Sequence, residues 1–287
     1  MVHVVGASGR SGAALCRALA VAGSAYVPVV RSAQNWAATG LPGTARLADL
    51  TDPVALKAAL ADATHIVSTA HARHAPSILS AAAPTAQLIF LGSTRKFTRF
   101  PDAHARGVLA GEAAFLGSAR RGAMLHPTMI YGAQGEDNVQ RLAALLRRVP
   151  LVPLPAGGRA LVQPIHQSDV TRAILAALAH DWSGPTTLVI AGPRPLPYAE
   201  FVRAIAAAAA LPPPRVVPIP ATVLMIATLL TRLPFLPTVH AAEIRRLLED
   251  KAFDIAPMRH RLGMEPIGLA DGLALTFHRQ ASISGPT

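Results

Sequence analysis

Three glycines mark the turn between the first strand and the first helix of the chain. Val2 to Val5, three valines and a histidine, predict a short buried strand. Gly6, Gly9 and Gly12 follow at three-residue spacing, and an apolar pattern with helical period begins after them. Gly6 permits a tight turn, Gly9 lets an anion approach the main chain, and Gly12 lets the helix pack against the sheet, so that its first N–H groups face the anion. We therefore predict a pyrophosphate-binding turn. Its expected contacts are Gly6, Ser8, Gly9, Arg10, Ser11 and Gly12.

The end of the second predicted strand carries a cation instead of an acid. Tyr26 to Val30 predict this strand, although Pro28 inside it conflicts with an interior position. Arg31 follows with no acidic neighbour. At this position an acidic residue binds the ribose hydroxyls of NAD, whereas an arginine suits the 2′-phosphate of NADP. We therefore expect NADP(H) to be favoured over NAD(H). The alternative is that Arg31 is an exposed residue without a ligand.

Strands and helices alternate in the first half of the chain. Thr44 to Ala48, His65 to Thr69 and the more apolar segment Ala86 to Leu91 predict three further strands, and Asp52 before Pro53 is typical of a helix start. This alternation predicts an α/β fold with a doubly wound parallel Rossmann sheet. Ligands then bind at the carboxyl ends of the strands. The residues expected there, besides Arg31, are Asp49, Leu50, Thr69, Ala70 and Ser93.

The second half is richer in proline, and its elements are shorter. We predict a dinucleotide-binding domain over residues 1–150, joined by later segments at about 160–192, and a smaller α+β substrate lobe over 151–287. Ser168 and Asp169 are expected to cap a helix that runs to about His180. An apolar helix is predicted over 220–230, and it is expected to be buried or to line the cleft. A membrane span needs about 20 residues, so no span is expected.

Composition narrows the classes of partner. The 287 residues carry a net charge of +11, almost entirely from arginine, since there are only three lysines. The arginines are scattered, mostly singly, and no nucleic-acid-binding signature is present, so we expect no nucleic-acid partner. The single cysteine, Cys16, is expected to be a small core residue. The first strand begins at residue 2 with no charged lead before it, which favours the cytoplasm.

Motifs along nearly the whole chain agree on one family. The chain resembles the short-chain dehydrogenase/reductase superfamily in its extended or atypical branch, which includes nucleotide-sugar epimerases, NmrA-like proteins and the NADPH-holding accessory subunit of respiratory complex I. The matching segments are Gly6–Gly12, Asp49–Leu50, Leu91–Thr94, His126–Gly132, Pro164–Val170 and Phe253–Gly263.

The resemblance implies a role for several positions. Asp49 and Leu50 would flank the adenine, and Ser93 would be the active-site serine. Pro127 and Thr128 would lie beside the nicotinamide. His166 and Asp169 match a motif that joins the two domains in the family, which implies a structural role for both. This reasoning identifies a kind of fold and a cofactor site, and it does not identify a reaction.

The sequence departs from the family at the proton-transfer motif. Active members carry Tyr-x-x-x-Lys on the helix after the fifth strand, where the tyrosine is the general acid or base and the lysine lowers its pKa. Aligning Gly111-Glu112 with the end of that motif puts His104 at the tyrosine and Val108 at the lysine. An imidazole can transfer a proton near neutral pH, and Lys96 could supply the missing charge. The alternative is that His104 is a surface residue on a helix without a catalytic role.

Two functions remain open. One is an oxidoreductase or nucleotide-sugar epimerase/dehydratase-like enzyme that binds NADP(H) and acts on a small carbonyl or sugar-like compound, with Ser93 and His104 as its catalytic residues. The other is a non-catalytic protein that holds NADP(H) as a structural or redox-sensing element. A regulator that associates with nucleic acid has only the net charge in its favour. The expected partners are a dinucleotide and an unidentified small molecule, and the oligomeric state is undetermined.

Overall fold

Thirteen strands are present in the part of the chain that the structure describes. This computed structural model describes residues 1–132, 137–149, 151–223, 245 and 247–283. The strands are β1 (Val2–Val5), β2 (Tyr26–Val30), β3 (Arg46–Leu47), β4 (His65–Ser68), β5 (Gln87–Leu91), β6 (Gly122–Pro127), β7 (Ile130–Tyr131), β8 (Leu151–Pro155), β9 (Leu161–Val162), β10 (Ile165–His166), β11 (Pro185–Ile190), β12 (Leu196–Pro197) and β13 (Arg215–Ile219).

Ten α-helices lie between and after these strands within the described ranges. They are α1 (Arg10–Val21), α2 (Ala33–Ala37), α3 (Pro53–Ala59), α4 (Ala75–Ala81), α5 (Ala103–Gly117), α6 (Asn138–Arg148), α7 (Gln167–Ala179), α8 (Tyr198–Ala208), α9 (Ala256–Leu262) and α10 (Leu269–Ile283). Short 3₁₀ turns occur at Ala72–His74, Thr94–Phe97 and Ala156–Gly158. None of the helices described is both long and apolar enough to cross a membrane.

The main sheet has seven strands in the order β11-β6-β5-β4-β1-β2-β3, and every pair in it is parallel. Both of its faces are covered. One apolar cluster joins the sheet to α1, α7 and α9, and a second joins it to α3, α4 and α5. The predicted doubly wound α/β fold is confirmed. The strand order reverses between β1 and β4, which places the ligand crevice at their carboxyl ends.

The proline inside β2 breaks no hydrogen bond of the sheet. The carbonyl of Val29 accepts from the N–H of Gly6 at 3.0 Å, so the polar groups of Val29 face β1. Those of its neighbour Pro28 therefore face β3, because they alternate along a strand. Pairing with β3 begins only at Val29 and Arg46, so the missing N–H of Pro28 has no partner to lose.

Two helix starts test the predicted caps. Asp52 caps α3 as predicted, because its carboxylate accepts from the N–H groups of Val54 and Ala55, both at 3.0 Å. The cap predicted for α7 is wrong by two residues. His166 is the N-cap there, and its Nδ1 accepts from the N–H of Ser168 at 3.2 Å. The carboxylate of Asp169 is engaged elsewhere, accepting from the main-chain N–H of Ile267 at 2.9 Å and from Arg172.

The second half of the chain contributes to the main sheet and also builds a smaller body. β11 pairs with β6 at the edge of the sheet, and α7 packs on α1. The other strands form the two-stranded pairs β10–β7, β12–β9 and β13–β8, beside a cluster formed by α6, α8 and α10. The division of the chain at residue 150 stays a prediction. The helix predicted over 220–230 lies outside the described residues from 224 onward.

Candidate dinucleotide and substrate site

The glycine turn after β1 brings the main chain closer together than any side chain would allow. Gly6 has a φ of +79°, and its carbonyl accepts from the N–H of Gly9 at 2.9 Å. A Cβ built on Gly12 would lie 2.2 Å from the Gly6 carbonyl oxygen. The absence of side chains at these positions therefore allows α1 to begin directly against the end of the strand.

The start of α1 can accept an anion. Its N-cap is Gly9, which makes no side-chain capping bond, and the first turn contains no acidic residue. Unpaired N–H groups at a helix start carry a partial positive charge that attracts phosphate. Ser8 and Ser11 are half-buried beside this turn, and Arg10 is exposed. The residues present therefore fit the pyrophosphate of a dinucleotide.

The end of β4 is tied to the same turn. The hydroxyl of Thr69 donates to the carbonyl oxygens of Val5 and Gly6, at 3.1 and 3.2 Å. A Cβ built on Gly6 would lie 3.0 Å from the hydroxyl oxygen of Thr69 and 3.1 Å from the main-chain nitrogen of Ala70. Thr69 and Ala70 thus form one wall of the glycine turn, as their position after β4 predicts.

A cavity of about 360 Å³ opens from the glycine turn across the ends of β1, β2 and β3. Arg31 lies on its β2 side, and Arg73 and His74 lie on the β4 side. Among the described residues, Arg31 forms no ion pair. The cavity is lined by Val5, Gly6, Ser8, Val29, Val30, Arg31, Ser32, Asn35, Ala48, Asp49, Leu50, Thr51, Arg73 and His74.

Asp49 is the acidic residue of this cavity, and its carboxylate is turned toward its own loop. It accepts from the hydroxyl and the N–H of Thr51, at 2.7 and 2.8 Å. These hydrogen bonds lower the pKa of Asp49, and the charges of Arg31 and His74 lower it further. Asp49 is therefore ionised at neutral pH, while its bonds to Thr51 fix its direction.

A second cavity of about 390 Å³ lies at the ends of β5 and β6. The oxygen of Ser93 accepts from the N–H of Arg95 at 3.1 Å, and the hydroxyl of Thr128 donates to the carbonyl of Gln163 at 2.5 Å. The carbonyl of Pro127 accepts from Thr94. The cavity is lined by Ser93, Thr94, Arg95, Phe97, Thr98, Arg99, Thr128, Met129, Glu249, Asp250, Lys251 and Phe253.

A buried charged cluster lies beneath the Ser93 loop. The ammonium of Lys96 donates to the carboxylate of Glu112, and each side chain is only 11% exposed. Nδ1 of His126 accepts from the N–H of Ser93 at 3.1 Å, and its Nε2 lies 3.6 Å from Glu112. Burial lowers the pKa of His126 to about 4, with Lys96 lowering it and Glu112 opposing the shift. His126 is therefore neutral at neutral pH. The Lys96 ammonium is directed to Glu112, and Lys96 does not line the Ser93 cavity.

His104 lies on the first turn of α5 and packs on another histidine. Its exposed side chain meets the ring of His71 edge-on, with 4.3 Å between ring centroids. Gly107 makes room for His71, since a Cβ there would lie 2.8 Å from its Cε1. Burial lowers the pKa of His71, and the charge of His104 adds to this shift. His104 does not line either cavity, whereas Val108 is 1% exposed and packs in the core.

Comparison with solved structures gives full-length similarity at low sequence identity. A nucleoside-diphosphate-sugar epimerase from Pseudomonas aeruginosa aligns with a TM-score of 0.73 at 18% identity, covering 99% of this chain and 98% of that one. A short-chain dehydrogenase/reductase superfamily protein from Agrobacterium tumefaciens, with bound NAD, gives 0.71 at 15%, covering 99% and 98%. The NADPH-dependent quinone oxidoreductase QOR2 of Escherichia coli, complexed with NADPH, gives 0.72 at 17%, covering 96% and 99%. The chain therefore shares the fold of these proteins. No family model and no curated protein matches its sequence.

Within this fold, seven of the fifteen predicted site residues line one of the two cavities. Gly6, Ser8, Arg31, Asp49 and Leu50 share the first cavity, and Ser93 and Thr128 share the second. His104 belongs to neither group, because its ring lies against His71.

Sequence reasoning missed three parts of the site. Arg73 and His74 line the first cavity, and Glu112 and His126 form the buried cluster with Lys96. Four residues near the end of the chain line the second cavity: Glu249, Asp250, Lys251 and Phe253. The available signals were positional: the first pair follows β4, and His126 precedes the predicted Pro127. None of them carries a spacing that identifies a partner, because their contacts join distant parts of the chain.

Proposed function

We propose that the chain is an NADP(H)-dependent oxidoreductase of the extended short-chain dehydrogenase/reductase group, acting on a small carbonyl compound or the corresponding alcohol. The observation that carries this proposal is the presence of two cavities at one edge of the sheet. The first is lined by Gly6 and Ser8 of the glycine turn and by Arg31, and the second is lined by Ser93. Solved structures of this fold with bound NAD and NADPH support a nicotinamide dinucleotide as the cofactor.

The chain's own residues would hold the cofactor from one end to the other. The N–H groups at the start of α1 would bind the pyrophosphate, and Arg31 would bind the 2′-phosphate. Asp49 and Leu50 would flank the adenine, and Pro127 and Thr128 would lie beside the nicotinamide. When bound, the nicotinamide supplies or accepts a hydride.

Ser93 is the residue proposed to hold the reacting oxygen. Its oxygen already accepts from the N–H of Arg95, which leaves its hydroxyl hydrogen to donate to a substrate carbonyl. His104 is the proposed proton donor, although it does not line the Ser93 cavity. Its position at the start of α5, beside His71, would require a proton to pass through water to the carbonyl oxygen.

The second candidate is a protein that holds NADP(H) without turnover. It is favoured by Val108, which is buried where the family has its lysine, and by the pairing of Lys96 with Glu112. Val108 carries no charge, and the charge of Lys96 is directed to Glu112. Neither Val108 nor Lys96 can therefore lower the pKa of a proton donor beside the nicotinamide.

One experiment separates the two candidates. NADPH is titrated into the protein, and its binding is measured from the NADPH fluorescence. Consumption of NADPH is then followed by absorbance at 340 nm with a panel of aldehydes, ketones and quinones. Oxidation of NADPH by one class of carbonyl, lost in Ser93→Ala, supports the oxidoreductase. Binding of NADPH without consumption supports the holding protein, and absence of binding contradicts both.

A further inference from the structure

The Ser93 cavity has an aromatic wall that the core does not use. Phe97 is 54% exposed, and its ring lies 5.5 Å from that of Phe253 at an angle of 41°. Both rings stand on fixed main chain. Phe97 ends the 3₁₀ turn after Ser93, and the N–H of Phe253 donates to Oε1 of the buried Gln163 at 2.8 Å. The ammonium of Lys96 lies 4.8 Å from the centre of the Phe97 ring, and the exposed part of the ring pair offers a surface for a planar ligand.

The two carboxylates of the cavity are already hydrogen-bonded to the protein. Glu249 accepts from the hydroxyl of Thr98 at 2.7 Å and from the N–H of Arg99 at 2.6 Å. Asp250 accepts from the N–H of Leu161 at 2.8 Å. The guanidinium of Arg95 is paired with Asp102.

Arg99 differs from Arg95 because the Arg99 side chain is exposed and forms no ion pair with the described residues. A guanidinium in this position matches a carboxylate or a phosphate, which it can bind through two parallel hydrogen bonds. The cavity therefore favours a ligand with a negative charge at its Arg99 end.

The hydroxyl groups of the cavity indicate which hydrogen bonds are available to a ligand. Thr94 and Thr128 donate to the main-chain carbonyls of Pro127 and Gln163. Ser93 accepts from an N–H and keeps its hydrogen available. The cavity thus offers a hydrogen-bond donor at Ser93, an aromatic wall and a cation.

We infer that the substrate of this cavity is a planar aromatic carbonyl compound that carries a carboxylate or a similar anionic group. Its ring lies against Phe97 and Phe253, its anionic group binds Arg99, and its carbonyl oxygen accepts from Ser93. The inference rests on the proposed function. Reduction adds a hydride from NADPH to the carbonyl carbon and a proton to its oxygen, giving the alcohol and NADP⁺.

The test compares 4-carboxybenzaldehyde with benzaldehyde, which lacks only the carboxylate. Arg99→Gln is expected to raise the KM for 4-carboxybenzaldehyde by about ten- to a hundredfold and to leave benzaldehyde unchanged. Phe97→Leu is expected to raise the KM of both aldehydes by about three- to tenfold. The matched controls are Arg203→Gln, on the exposed face of α8, and Phe100→Leu, at a 44% exposed ring that does not line the cavity.

A binding measurement keeps the inference separate from turnover. The affinity of 4-(hydroxymethyl)benzoate for the protein with NADP⁺ is measured by calorimetry, with benzyl alcohol and UDP-glucose as comparison ligands. Binding of the benzoate that weakens in Arg99→Gln supports the inference even if no aldehyde is reduced, in which case the proposed function fails alone. If NADPH-dependent reduction occurs with the same KM for both aldehydes and the same KM in Phe97→Leu, the inference is overturned and the proposed function stands. Tighter binding of UDP-glucose than of the benzoate also overturns it.

Discussion

The proposed nucleotide end of the cleft, at the glycine turn, is built mainly from main-chain geometry, and the proposed reacting end, at Ser93, is built from side-chain contacts. At the nucleotide end, a Cβ on Gly12 would lie 2.2 Å from the Gly6 carbonyl, so the geometry depends on glycine. At the reacting end, His104 packs on His71, and Lys96, Glu112 and His126 form a buried cluster beneath Ser93. The turn tolerates little substitution, whereas a side-chain network can be rebuilt with other residues. The first end therefore depends on glycine at fixed positions, and the second does not depend on one set of side chains.

The largest expected effect comes from adding one methyl group to the turn. Gly12→Ala is expected to abolish measurable NADPH binding and to lower the free energy of unfolding by about 3 kcal/mol, because the helix must move away from the strand. The matched control is Gly117→Ala, since a Cβ there meets nothing within 4 Å. That variant is expected to gain about 0.5–1 kcal/mol. NADPH binding retained in Gly12→Ala would contradict the assignment of the turn.

The next effect concerns the proposed reacting end. If His104 donates the proton, His104→Ala is expected to lower kcat by about 10²- to 10⁴-fold, with the rate depending on one group that titrates near neutral pH. Ser93→Ala is also expected to be costly, because the donor to the substrate oxygen is lost. NADPH affinity is expected to change little in either variant. An unchanged kcat in His104→Ala would remove His104 from the mechanism.

A substitution of His71 tests whether the histidine pair acts on the proton transfer alone, because His71 contacts His104 without lining either cavity. His71→Asn is expected to shift the pH dependence of the rate and to leave the KM of the carbonyl substrate unchanged. A change in KM alone would indicate that the histidine pair shapes the substrate site and does not transfer a proton.

A smaller effect is expected in stability against pH. The pKa of His126 is lowered to about 4 in the folded protein, so between its ordinary pKa and pH 4 the unfolded chain binds a proton that the folded chain does not. Stability is therefore lost as the pH falls, by about 1–2 kcal/mol from this group between pH 6.5 and 5.0. Urea unfolding of His126→Gln at both pH values is expected to show a shallower loss than the parent protein. Equal losses would show that His126 does not set the slope.

Local rules were sufficient for the nucleotide end. The strand–glycine–helix pattern predicts the turn, and the dipeptide Asp52-Pro53 predicts the start of α3, because each depends on residues close together in the chain. The position of Arg31 follows from the strand that precedes it. The doubly wound sheet follows from the alternation of elements, which is why the fold was predictable while the chain matches no family model.

Long-range contacts explain what was missed. Glu112 meets Lys96 and His126 only because α5 packs beneath the Ser93 loop. The pair β8–β13 joins residues about sixty positions apart, and the prolines in both strands weaken its signal. Five-residue α2 is too short for a periodic pattern. Partner choice in these cases depends on tertiary packing, which propensity and spacing do not contain.

The central claim is that the intact end of the cleft binds NADP(H) through Arg31. Calorimetric titration of the protein with NADPH and with NADH tests it most directly, and Arg31→Ala is titrated in parallel. The account predicts that NADPH binds about ten- to a hundredfold more tightly than NADH, and that the difference disappears in Arg31→Ala while NADH affinity is retained. Equal affinities of the parent protein for the two cofactors, or tighter binding of NADH, would contradict the account.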